Sequence, residues 1–96
     1  MDPADDPTVQ RYREGITEQD RAIVAALNRR IELVGGLFEH KRQQGYPLSD
    51  PGREQALLAD LAAHNAGPLS DARLAELVAL VLDICRTESQ HAANRP

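Results

Sequence analysis

No proline interrupts residues 8–43, and within them apolar side chains recur at Ile16, Ile23, Leu27, Val34 and Leu37, in steps of seven, four, seven and three. Those steps are sums of three and four, the return intervals of an α-helix, so the segment predicts one long amphipathic helix. A helix of about 35 residues rises about 50 Å, more than a compact chain of 96 residues covers by itself. A second copy of the chain is the economical cover, and a short chain also gains stability from association. Gly35 and Gly36 lie inside the segment. Each costs up to about 1 kcal/mol relative to alanine, and each suits a point where another helix approaches closely.

Gly45, Tyr46 and Pro47 end that pattern. Asp50 followed by Pro51 then reads as an N-cap with proline at the first helical position. The second helix carries Leu57, Leu58 and Leu61 on one face and ends near Asn65, Gly67 and Pro68. Ser70 and Asp71 open a third, whose apolar positions Leu74, Leu77, Val78, Val81, Leu82 and Cys85 keep the 3.6 period. The expected class is all-α, with a long, a short and a medium helix in one helical domain over residues 8–90. Residues 1–7, rich in proline and aspartate, are expected to be a disordered leader, and 91–96 a flexible tail.

A net charge of −4 argues against nucleic acid or an acidic membrane as a bulk partner. No apolar run is long enough for a membrane span, the single cysteine excludes an internal disulfide, and the chain reads as cytoplasmic. His40, His64 and His91 fall in separate elements without paired ligand spacing, so no metal site is expected. Cys85 has no histidine nearby in sequence and reads as a small buried hydrophobe lining whatever pocket exists.

The apolar stripe of the first helix extends through positions 13, 16, 20, 23, 27, 30, 34, 37 and 41, where Arg13, Asp20, Arg30 and Lys41 stand among the apolar residues. Charges on a face meant for burial cost several kcal/mol unless each is paired or the face lines a polar cavity. Asp50, Arg53 and Glu54 form a second polar cluster after a loop short enough to fold it back beside the first. One reading is bland: Arg13 snorkels, Asp20 pairs with a neighbouring cation, Asp50 only caps. The other is an anion pocket, since arginine forks bind carboxylates bidentately and a lysine adds a mobile point charge, a set suited to a small dicarboxylate. Periodicity points Arg30 inward and leaves Arg29 on the surface.

The order Arg13-Glu14-x-Ile16, Asp20, Leu27-x-x-Arg30-x-Glu32-Leu33-Val34, Lys41, then Pro47-x-x-Asp50-x-x-Arg53-Glu54 resembles the all-helical chorismate mutase family. The resemblance spans roughly residues 11–90 and is most specific through the first two helices. It implies an intertwined homodimer of three-helix chains with two active sites, each drawing on both chains. It implies that Arg13 reaches across from the partner and, with Arg30, holds the two substrate carboxylates. Lys41 would bind a carboxylate and the ether oxygen whose bond breaks, Asp50 and Glu54 the ring hydroxyl, and Arg53 would shape the loop and pocket. The implied reaction, chorismate to prephenate, is a one-step pericyclic rearrangement needing conformational restraint and charge stabilisation at the ether oxygen, with no cofactor and no nucleophile.

In the third helix the resemblance is weaker. Where the family places a serine and, four residues on, a glutamine or glutamate that donates to the ether oxygen, this chain has Cys85 and Ser89, with Glu88 and Gln90 flanking. Glu88 would need to be protonated to donate, favouring activity at acidic pH, and Ser89 would need a bridging water. Relatives with the same helices eliminate pyruvate from isochorismate or rearrange 4-amino-4-deoxychorismate, and the shared cations do not separate these substrates. A reading from another class is a non-catalytic helical dimer that binds another shikimate-pathway enzyme; short mutases of this kind are also activated by such a partner.

Overall fold

The structure, a computed structural model, describes residues 2–93, with side chains described as far as His91. Among the described residues it is all-helical and holds no strand: a 3-10 turn at Pro3–Asp5, then α1 (Pro7–Gln44), α2 (Pro51–His64) and α3 (Asp71–Ala93). The expected order of long, short and medium helix is what is found. The chain divides into two compact units, Met1–Arg30 and Ile31–Pro96.

In the first unit, Asp6 starts α1. Its carboxylate accepts the Thr8 N–H at 2.9 Å, its carbonyl accepts the Gln10 N–H at 3.0 Å, and Pro7 takes the first helical position, where no N–H is needed. Within the segment expected to be a disordered leader, Pro3–Asp5 instead make a 3-10 turn. The Asp5 N–H donates to the Asp2 carbonyl at 2.9 Å and the Asp6 N–H to the Pro3 carbonyl at 3.2 Å; the Asp2 carboxylate also accepts the Ala4 N–H at 3.0 Å, and the Gln10 side-chain amide donates to the Ala4 carbonyl. Apolar side chains lie open here, with Tyr12 72%, Ile16 60% and Ile23 56% exposed, while Leu27 is half-buried.

The second unit contains the buried residues. Leu74, Val78, Cys85 and Ser89 on α3 are buried, and their spacings of four, seven and four place them on one helical face. The α1 residues Val34 and Phe38, the loop residue Leu48 and the α2 residues Leu57 and Leu58 are half-buried. Where α1 meets α3, a Cβ built on Gly35 would stand 3.8 Å from the Ser89 Cβ. This is the close helix approach expected of that glycine; Gly36 has nothing within 4 Å of the same position.

Caps fix the ends of the helices. Asp50 accepts the Arg53 N–H at 3.0 Å, as its place before Pro51 requires. Ser70 accepts the Arg73 N–H on its hydroxyl at 3.2 Å and the Leu74 N–H on its carbonyl at 2.9 Å. Between α2 and α3 the Asn65 side chain donates to the Leu69 carbonyl at 2.8 Å and to the Asp71 carboxylate at 3.2 Å, while its oxygen accepts the Gly67 N–H at 3.0 Å. The expected tail begins inside α3; residues 94–96 lie outside the described residues.

Burial on α3 sets a stability contrast. Leu74→Ala should destabilise by about 2–5 kcal/mol, the range for emptying a packed leucine site. Ser70→Ala should cost about 1 kcal/mol through loss of the cap. Urea denaturation of both variants beside the parent checks both values and their order.

Candidate active site

Among the charged side chains of α1, Arg30 and Lys41 are the two that are half-buried; the others, Arg13, Asp20 and Arg29 included, are exposed. Periodicity marks both for the inward face and sends Arg29 outward, and the exposures agree. Arg13 and Asp20 stand exposed on the open stripe of the first unit. There Arg13, Glu14, Thr17, Glu18 and Arg21 line one shallow groove, and Thr17, Asp20, Arg21, Val24, Ala25 and Asn28 line another.

Neither Arg30 nor Lys41 takes part in an ion pair among the described residues. Pairs that do form, such as Arg42 with Glu39 at 3.3 Å, Arg73 with Glu76 at 2.7 Å and Arg86 with Asp83 at 2.9 Å, are exposed and span single helical turns. Such pairs contribute little to stability. A cation without a protein carboxylate partner has its charge open to an anionic ligand.

Lys41 sits at the C-terminus of α1, where its Nζ donates to the Leu48 carbonyl at 3.4 Å. An ammonium has three donors, so two remain for a ligand. Asp50 spends one oxygen on the Arg53 N–H, which ties the bland capping role and the proposed binding role to the same carboxylate. Arg53 and Glu54 extend from the first turn of α2 and are exposed. Among the described residues no hydrogen bond joins one of these side chains to another.

On α3 the three consecutive polar residues differ in burial. Cys85 is 1% and Ser89 5% exposed, while Glu88 and Gln90 are exposed. The Ser89 hydroxyl donates to the Arg86 carbonyl at 3.0 Å. Sequence reasoning misses the shape of this face only at the level of one residue, because a serine flanked by two longer polar side chains gives no apolar signal of its own. It misses the Leu48 carbonyl altogether, since a backbone acceptor leaves no trace in residue identity.

The histidines stand apart from this set. His40 meets Tyr46 edge to face, ring centroids 6.3 Å apart, and His64 Nδ1 lies 2.8 Å from the Asp60 carbonyl. Among the described residues no group of three or more His, Cys, Asp or Glu is placed to hold a metal ion, and no helix is long and apolar enough to cross a membrane.

An all-α chain with half-buried cations on its long helix and a polar cluster opening the next belongs, on comparison, to a class of helical isomerases. The family model for chorismate mutase type II matches residues 12–90, and the chain belongs to that family. Among solved structures it is similar to one described as chorismate mutase (form II) from Thermus thermophilus, with 28% identity and a TM-score of 0.82, covering 86% of this chain and 94% of that one. A search of curated proteins gives no match.

The approach at Gly35 generates a graded prediction. Gly35→Ala places a methyl at ordinary van der Waals distance from Ser89 and should leave stability unchanged or raise it by up to about 1 kcal/mol. Gly35→Leu overfills the space between the helices and should destabilise by about 1–3 kcal/mol. Thermal unfolding of the two variants beside the parent checks the reversal of sign.

Proposed function

We propose that this chain rearranges chorismate to prephenate as a homodimer. In that reaction the ether C–O bond breaks as a C–C bond forms, in one pericyclic step without an external proton, nucleophile or electron carrier. The protein lowers the barrier by holding the compact diaxial conformer and by stabilising negative charge that grows on the ether oxygen. The observation that carries the reading is the pair of half-buried cations, Arg30 and Lys41, without ion pairs in a chain whose family is chorismate mutase type II.

In this reading Arg30 and the partner subunit's Arg13 grip the two carboxylates. Lys41 contributes one ammonium donor to a carboxylate and one to the ether oxygen. Asp50 and Glu54 accept from the ring hydroxyl, Arg53 shapes the loop, and Cys85 lines the pocket. Burial favours Ser89 over Glu88 as the α3 residue turned toward the ether oxygen, acting through a water because its side chain is short. The open stripe of Tyr12, Ile16 and Ile23 supports a second chain as its cover, and Arg13 on the same half of α1 supports that residue's service in the partner's site. With prephenate as product, the activity falls in the cytoplasmic shikimate route to aromatic amino acids, where a partner enzyme of that route would act as activator.

Incubation with chorismate, isochorismate and 4-amino-4-deoxychorismate in parallel, with products separated by chromatography, tests the reaction. Prephenate from chorismate is expected. Turnover of only one of the other two would move the chain to a different reaction on the same cations, and no turnover of any would remove the enzymatic reading. Arg30→Ala and Lys41→Ala should each lower kcat/KM by about a hundredfold or more, the scale expected when a charged group no longer stabilises the transition state. Near-parental turnover in either would remove that residue from the site. Light scattering at micromolar concentration should give the mass of two chains.

A further inference from the structure

We infer that the loop joining α1 to α2 is a positioning device for the Lys41 ammonium, and that it depends on the left-handed backbone at Gly45. The inference rests on the role given to Lys41 above.

Both ends of Lys41 are tied to this loop. Its carbonyl accepts the Tyr46 N–H at 2.8 Å, and the neighbouring Arg42 carbonyl accepts the Gly45 N–H at 3.2 Å. Together with the Gly45 φ of +72° these two bonds form the Schellman ending of a helix. Two residues beyond Tyr46, the Leu48 carbonyl accepts from Lys41 Nζ at 3.4 Å. The turn that ends α1 therefore carries round the acceptor that holds the side chain of a residue in the last turn of α1.

Several contacts restrain the rest of the loop. Pro47 fixes its own φ and restricts Tyr46 to extended conformations. The Tyr46 ring rests edge-on against His40, one residue before Lys41. At the far end Asp50 is anchored by its bond to the Arg53 N–H. A lysine ammonium rides on a flexible four-carbon stem and is ordinarily spread over many rotamers. A fixed carbonyl within reach narrows that spread, and at 3.4 Å it does so without occupying the charge fully. Lys41 thus meets a ligand already aimed, with two donors still open, which is the preorganisation that charge stabilisation in a transition state requires.

Gly45 is the residue that can test this, because only its conformation is at stake and not a ligand contact. Valine at φ +72° is strained, whereas asparagine tolerates that region. Gly45→Val should lower kcat by about tenfold or more while KM changes by less than about threefold, the pattern of an interaction made mainly in the transition state. Gly45→Asn should restore kcat to within about threefold of the parent. Melting midpoints and helicity of both variants establish that the measured protein is folded; if Gly45→Val does not fold, Gly45→Ala at the same φ takes its place. In substrate-free protein, the Lys41 Cε resonance should move toward the free-lysine position in Gly45→Val and remain in Gly45→Asn. A folded valine or alanine variant that keeps the parental kcat, or an unmoved Lys41 resonance, overturns the inference. Absence of turnover in the parent defeats the assigned reaction instead, and the resonance then still reports on the positioning.

Discussion

Arg30 and Lys41 keep part of their side chains out of water at positions where the helical stripe of α1 calls for leucine. Neither cation has a carboxylate partner among the described residues, an arrangement suited to an anionic ligand. Much of the rest of the molecule is intelligible as the support of that arrangement. The helix that carries the cations is capped by Asp6 and Pro7 at one end and by the Gly45 turn at the other, so its register is fixed. The face of α3 with Leu74, Val78, Cys85 and Ser89 supplies the burial of the second unit, and glycine at position 35 lets the helices close to Ser89 without a side chain between them.

The chemistry that the family performs fits such a construction. A pericyclic rearrangement asks for no proton shuttle and no covalent intermediate, so a protein can accelerate it with fixed charges and a restrictive shape alone. In the proposed site two kinds of group would serve that end. Arg30 brings a rigid planar fork suited to a carboxylate, and Lys41 brings a compact charge on a flexible stem. The second needs an external constraint that the first does not, and the loop after α1 provides a carbonyl for it. On α3 the small Cys85 and Ser89 are buried, and Glu88 is exposed.

Much of this is legible in the residues. The stripe of Ile16, Ile23, Leu27, Val34 and Leu37 identifies α1 because helical periodicity survives in side-chain identity. Asp50–Pro51 and Ser70–Asp71 mark helix starts because a cap needs a short acceptor side chain just before the first turn. The separate inward and outward assignments of Arg30 and Arg29 follow from the rotation of about 100° per residue in an α-helix, and exposure agrees with them. What stays illegible has physical reasons. The consecutive polar residues Glu88, Ser89 and Gln90 carry no periodic contrast, so the burial of Ser89 emerges only in the packed helix. The turn at Pro3–Asp5 combines its backbone bonds with side-chain bonds of Asp2 and Gln10, in a segment whose composition reads as disordered. The bond from Lys41 to Leu48 uses a carbonyl that every residue possesses.

The central claim is that the cations of one chain are completed by Arg13 of another, and subunit mixing tests it most directly. Arg13→Ala and Lys41→Ala chains, each nearly inactive alone, would be unfolded together, refolded as a mixture and assayed with chorismate. If each site takes Lys41 from one chain and Arg13 from its partner, about half of the randomly paired dimers regain one intact site, and activity returns to about a quarter of the parental value. Activity no higher than that of the separate variants, in a mixture shown to contain dimers of both chains, would contradict the claim and place Arg13 either in its own chain's site or outside the site.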